Sequence, residues 1–469
     1  MFSPILCSIQ PIINRSMTIL GVKKILLQPT VQNIINVYDM SNINNSTSND
    51  EVHMTTPELI FSHGYQAETH HIWTRDDYRL EVHRVLPAQH EKTKSDDEKN
   101  KDVNNDTDKQ EFVPTTNQSN SSIPNSTQES LDINQSKKKI TNRPTVLIHH
   151  GLLSSSADWV LLGPKRALAY VLCDEGYDVW LANARGNRYS RCHKKYTTKD
   201  KEFWDFSWHE IGIYDLPAII DYITEKTGNM SMSYIGYSQG TTAMFVMGSE
   251  CPEYMKRIKG VICMAPIAFL SNHRSPLLKL VVPFNIVMKW ASSYCNINQW
   301  FPRNKLQVLA FATLMRKAPE KFAKILGSYW FYFIAGFGSD QLDKSILPIV
   351  FGHFPAGASA KQIIHYSQTI KSGLFRQFDY GTETNLKKYG TPEPPKYDLT
   401  KVTVPVGIFY SDNDFLNHPS DVERLANALP NVVMKTRINY NKFNHVDYLW
   451  GRDAKTLVYN DIIKVLKSF

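Results

Sequence analysis

The chain has 469 residues, 42% of them hydrophobic, with a net charge of +8. That is enough for a sizeable packed core, in one large domain with insertions or in two domains. The basic excess is scattered rather than gathered into a long Lys/Arg stripe, which argues against nucleic acid as a partner. No run of about 18 apolar residues occurs, so no stable membrane span is expected.

Residues 1–55 read as a leader and linker. The first thirteen residues are mildly apolar, but Pro4 and Pro11 interrupt them and no basic segment precedes them, so they make a poor signal peptide. An Asn/Ser-rich tract at 42–49 supports a linker. Ordered sequence is expected from Thr56. His70 to Leu86 alternates apolar and polar residues around Asp76-Asp77, the pattern of a β-hairpin. Residues 89–143 are then dominated by Lys, Asp, Asn, Ser, Thr and Gln, and such a segment buries too little apolar surface to offset its ordering entropy. A disordered insertion between two strands is expected there. It carries the sequons Asn105, Asn117, Asn120, Asn125 and Asn134.

Apolar strands are predicted at Thr145–Ile148, Tyr177–Leu181, Tyr234–Ile235 and Gly260–Met264, with helices near Ala167–Glu175, Trp208–Thr227 and Ala243–Met247 between them. This alternation indicates a mostly parallel sheet covered by helices on both faces, an α/β architecture running from 56 to 266. Residues 267–376 break the rhythm. They are rich in Leu, Trp, Tyr and Phe and read as a helical cap, either a bulky subdomain with its own core or a cover for a greasy ligand. The sheet resumes within 377–469, with strands at Val404–Tyr410 and Val432–Met434, a helix at Val422–Leu429 and a last helix at about Ala454–Lys467. The six cysteines include no Cys-x-x-Cys pair, so neither a zinc site nor a redox motif is expected. Cys263, inside an apolar strand, reads as a buried thiol.

One stretch carries chemistry. Gly236-Tyr237-Ser238-Gln239-Gly240 stands between a strand and a helix, where a Gly-x-Ser-x-Gly turn exposes its serine hydroxyl. The glycines suit a turn that brings backbone segments together and demands φ values a Cβ resists. A serine needs a base, and the base needs a carboxylate to hold its tautomer. In the chain order serine, acid, histidine, the candidates after Ser238 are Asp412 or Asp414 and then His445; His353, His365 and His418 compete with His445. An oxyanion needs amide donors. Gln239, following the serine, supplies one, and Leu152 in His150-Gly151-Leu152 supplies the other; His149 and His150 read as loop scaffolding.

These residues resemble the acid lipases, the group that contains gastric and lysosomal acid lipases and many insect members. The matching stretches are Gly64-Tyr65, Asp77-Tyr78, His83-Arg84, His150 to Leu153, Asn183 to Ser190, Tyr214 to Ala218, Gly236 to Gly240, Pro355-Ala356-Gly357, Phe375 to Tyr380, Asp414 with Pro419, Asp421-Val422 and Asn444 to Tyr448. The resemblance implies an α/β-hydrolase fold with an inserted cap or lid, and hydrolysis of neutral lipid esters such as triacylglycerols or sterol esters at a lipid–water interface. No metal or cofactor is implied. It assigns the triad to Ser238, Asp414 and His445, with the oxyanion donors at Leu152 and Gln239, and it implies a secreted or lysosomal protein. The chain departs from the family at Tyr237, where histidine is usual, at Ala182 and Ala184, and in a cap whose only cysteine is Cys295. Two rival readings use the same fold: a lipid-binding or storage protein without catalysis, and a carboxylesterase or acyltransferase. The sequence leaves the oligomeric state open.

Overall fold

A computed structural model of the protein describes residues 51–88, 143–284, 298–301 and 331–469. The leader before residue 51, the low-complexity stretch 89–142 and the cap residues 285–297 and 302–330 lie outside the described residues.

The strands are β1 (Gln66–Trp73), β2 (Tyr78–Leu86), β3 (Thr145–His149), β4 (Asp178–Leu181), β5 (Cys192–His193), β6 (Met232–Tyr237), β7 (Ile258–Met264), β8 (Gln299–Trp300), β9 (Ala358–Ser359), β10 (Val406–Tyr410) and β11 (Val432–Arg437). The main sheet runs β1-β2-β4-β3-β6-β7-β10-β11, with the short β5 on β2. β1 and β2 form the expected hairpin, and β2 meets β4 antiparallel. From β4 to β11 every pairing is parallel. β8 and β9 make a separate two-residue ladder within the stretch read as helical cap.

Side chains on a strand alternate between faces, and both faces of this sheet are covered. Val146, Ile148, Ile235, Tyr237, Ile262, Met264 and Phe409 face one core, which includes the helices Leu168–Asp174 and Asn460–Leu466. Leu147, Tyr234, Val261, Cys263, Val406 and Ile408 face the other, against Leu216–Thr227 and Gln239–Glu250. Burying both faces explains why the strands read as continuous apolar runs.

The helix predicted over Trp208–Thr227 is one continuous run, with a wider π turn at Ile211–Asp215. Gly212 lies in that turn; a Cβ there would meet the Val246 side chain at 2.6 Å. The C-terminal helix carries a similar π turn at Lys455–Tyr459. Among the described residues of 267–376, helices at Pro276–Val281, Leu347–His353 and Ala360–Ser372 are present.

β2 ends and β3 begins beside the first residues of β4: Val85 pairs with Val179, and Thr145 with Asp178. The stretch 89–142 therefore leaves and rejoins the sheet at the end where the parallel strands start. Ser238, Asp414 and His445 all follow the other end, after β6, β10 and β11. In sheets of this kind, ligands bind outside the carboxyl ends of the strands.

Candidate functional site

Ser238 sits between β6 and the Gln239–Glu250 helix with φ 51° and ψ −115°. This is a strained conformation for a residue with a side chain, of order 1–3 kcal/mol, and it is held by surrounding structure. The Ser238 N–H donates to the Met264 carbonyl at 3.0 Å, and Thr241 N–H donates to the Ser238 carbonyl at 2.9 Å. The positive φ falls on the serine itself, not on Gly236 or Gly240. Those glycines are needed for space. A Cβ on Gly236 would lie 2.9 Å from the backbone of Gly240 and Thr241, and one on Gly240 would overlap the His149 carbonyl. The expectation of special φ values at the glycines is thus corrected; close approach is the reason for both.

Ser238 Oγ lies 2.9 Å from His445 Nε2, and His445 Nδ1 lies 2.7 Å from Asp414 Oδ2. All three side chains are buried or nearly so. The other carboxylate oxygen, Asp414 Oδ1, accepts the backbone N–H groups of Leu416 and Asn417, each at 2.9 Å. These bonds fix the carboxylate plane and leave Oδ2 for the imidazole. Asp412, two residues earlier, turns outward and pairs with Arg437 at 2.7 Å. The competing histidines are committed elsewhere. His365 stacks on Trp208 and bonds to Ser207 Oγ and the Arg376 carbonyl. His353 Nε2 bonds to the Glu51 carbonyl, and His418 contacts Arg274.

The loop after β3 closes the other side of the serine. An ideal Cβ on Gly151 would be 3.3 Å from Ser238 Cβ and 3.0 Å from the Tyr237 ring, so a side chain there would force its neighbours to shift by a few tenths of an ångström. Leu153, two residues on, has φ 63°, and its carbonyl accepts the Ala356 N–H at 2.6 Å. The chain thus reverses just past Leu152. Gln239 is the first residue of its helix, so its N–H has no partner within the helix. His150 Nδ1 donates to the Gly151 carbonyl at 2.8 Å, because its Nε2 accepts the Ala184 N–H at 3.1 Å. Burial pushes His149 down to about 4 and His150 to about 3. Both imidazoles are therefore neutral supports of the loop.

Three contacts beside the site were not anticipated from the sequence. Tyr237 donates its hydroxyl to the His445 carbonyl at 2.7 Å, and its ring lies 5.1 Å from the imidazole. Gln239 Nε2 donates to Gln362 Oε1 at 2.7 Å, tying the turn to the Ala360–Ser372 helix. Asp158, fully buried with Ser154 Oγ as its side-chain partner, is pushed up to about 7 by burial. A carboxylate immediately before the apolar run Trp159-Val160-Leu161-Leu162 is the signal that could have marked it.

A serine on a strained turn between a parallel strand and a helix, in hydrogen-bond contact with a histidine that contacts a carboxylate, defines the α/β-hydrolase class. Residues 144–452 match the family model described as the alpha/beta hydrolase fold, and residues 56–163 match the partial alpha/beta-hydrolase lipase region. The chain is 36% identical over 412 residues to Lipase 3 of Drosophila melanogaster, covering 88% of this chain and 92% of that protein. It is 33% identical over 420 residues to the gastric triacylglycerol lipase of Homo sapiens, covering 89% and 92%. The protein belongs to the acid lipase family of α/β hydrolases, and it is a carboxylic ester hydrolase. Among the described residues no helix is long and apolar enough to cross a membrane.

Proposed function

We propose that the protein is a serine lipase that hydrolyses neutral lipid esters, triacylglycerols or sterol esters, through an acyl-enzyme on Ser238. The observation that carries this reading is the unbroken contact chain from Ser238 Oγ to His445 Nε2 at 2.9 Å and from His445 Nδ1 to Asp414 at 2.7 Å. His445 takes the serine proton as Oγ attacks the ester carbonyl. Asp414, acting through Nδ1, keeps Nε2 free as acceptor and stabilises the imidazolium. The tetrahedral oxyanion is bound by the N–H groups of Leu152 and Gln239, which sit beside the serine on the turn and on the Gly151 loop. His445 then protonates the departing alcohol. Water enters, is deprotonated by the same imidazole, and releases the fatty acid.

The relatives support the substrate class: a gastric triacylglycerol lipase and two insect lipases each align over most of the chain. The same relationship supports a lipid–water interface as the place of action and a secreted or lysosomal location. Sensitivity of the purified protein to an N-glycosidase tests the location.

The function is tested with triacylglycerol and sterol-ester emulsions and short soluble esters, on wild type and Ser238→Ala, from about pH 4 to 8 to span the titration of a histidine base. Wild type should release fatty acid from the emulsions, and Ser238→Ala should lose about four to six orders of magnitude in kcat while staying folded. Turnover by a folded Ser238→Ala protein, or failure of an organophosphate to label Ser238, would overturn the reading.

A further inference from the structure

The acid and the base each stand on a loop that has already left the sheet. Asp414 comes four residues after β10 ends, and His445 eight residues after β11 ends. Strand register alone therefore does not align the two side chains. A third segment, Ala335–Ser339, lies against both loops. The Ala335 carbonyl accepts two N–H groups at once, from Phe415 at 3.1 Å and from His445 at 3.3 Å. One donor is the neighbour of the acid and the other is the base itself, and one carbonyl oxygen has lone pairs for both.

The next residues repeat the pattern. The Gly336 carbonyl accepts Asn444 Nδ2 at 3.1 Å. The Phe337 carbonyl accepts Asn413 Nδ2 at 2.9 Å, and the same amide nitrogen donates to the Lys442 carbonyl at 2.8 Å. Ser339 Oγ donates to Asp447 Oδ2 at 2.6 Å, and that oxygen also accepts the Asn444 N–H at 2.8 Å. Gly336 has φ 131°, and a Cβ there would overlap the Asn413 carbonyl oxygen and lie 3.1 Å from Asn444 Cβ. At Gly336 the strap is thus pressed against both loops with no room for a side chain.

We propose that Ala335–Ser339 is a positioning element: it sets the acid loop and the histidine loop in register with each other, and so fixes the Asp414–His445 contact. The inference rests on the serine-hydrolase reading above. The strap touches no reacting atom. Its effect is geometric, and small misplacements of a general base are costly to catalysis.

The test uses the full chain, a short soluble ester and proton NMR of the downfield His445 Nδ1–H. Asn413→Ala removes both amide bonds at an exposed position, and Asn413→Asp keeps the shape but cannot donate. Both should lower kcat by about 10-fold with KM within about 2-fold, and both should shift or broaden the downfield resonance. Gly336→Ala should lower kcat by about 100-fold or more. If it does not fold, the Asn413 pair decides. Wild-type kcat and an unchanged resonance in folded Asn413→Ala and Asn413→Asp would overturn the proposal. So would rescue by Asp alone, since that would show that Asn413 only fills space. The resonance is measured without turnover. If wild type cleaved no ester, the hydrolase reading would fall while the resonance still decided the role of the strap.

Discussion

Replacing Gly151 by alanine tests the oxyanion assignment at its tightest point. The added Cβ would stand 3.0 and 3.1 Å from two Tyr237 ring carbons and 3.3 Å from Ser238 Cβ. Ordinary carbon contacts begin near 3.5 Å, so about 0.2–0.5 Å of overlap has to be relieved. The Tyr237 ring is poorly able to retreat. It lies among Trp159, His445 and Tyr448, and its hydroxyl is held on the His445 carbonyl at 2.7 Å. The loop gives way instead and carries the Leu152 N–H outward. Complete loss of one oxyanion donor costs about 10²–10³ in kcat. A shift of a few tenths of an ångström forfeits part of that, so kcat should fall by about 10- to 100-fold. KM should stay within about 2-fold, because the oxyanion exists only in the transition state. Overpacking should also cost about 1–3 kcal/mol of stability. Steady-state kinetics on a soluble ester, with a thermal melt alongside, measures all three. Wild-type kcat in a folded Gly151→Ala protein would refute the reasoning. A raised KM at constant kcat would also refute it, since it would make the loop a substrate contact.

Two further predictions concern carboxylates. Asp414→Asn should lower kcat by about 10⁴-fold, because the imidazole tautomer is no longer held. Asp412→Asn loses only a half-exposed pair with Arg437 and should stay within about 3-fold of wild type; equal losses would mean that the acid is misassigned. Burial pushes both Asp158 and Asp447 up to about 7. From the ordinary 3.8 to that value the unfolded chain is ionised while the native state keeps its proton, so rising pH lowers stability across that window. His149 and His150 act in the opposite sense. Below the ordinary 6.5 the unfolded chain takes up protons that the fold refuses down to about 4 and about 3, so stability is lost as pH falls. Asp158→Asn should therefore raise Tm relative to wild type at pH 8 and much less at pH 5; an equal difference at both would show that Asp158 does not titrate in that range.

The parts of the site that could be read from sequence were those made by neighbours in the chain. Gly236 to Gly240 is local and recognisable in its own residues, although the reason for Gly240, the His149 carbonyl, is not. The parallel character of β3, β6, β7 and β10 followed from apolar runs spaced by helices, because strands buried on both faces need such runs. Asp412 and Asp414 could not be separated by local pattern. They differ in burial: the first reaches solvent and Arg437, and the second receives two backbone N–H groups. The hydroxyl of Tyr237 and the carbonyl of Ala335 reach His445 across 208 and 110 residues of chain, and no window of sequence records such a contact. In sequence Tyr237 was only a departure from the family; in the structure it is a hydrogen-bond donor to the histidine loop. Part of the cap's aromatic content, including Trp290, Tyr329 and Trp330, lies outside the described residues.

The junctions at Leu86 and Thr145 have a consequence for how the gene can change. β3 is five residues long, so the start of the strand stands about 17 Å from the end that carries the site. Both junctions lie at the end of the sheet remote from the reaction centre, and β3 is paired in parallel on both sides. The junctions therefore offer a place to splice in a reporter or a protease site without entering the strand ends that carry the site.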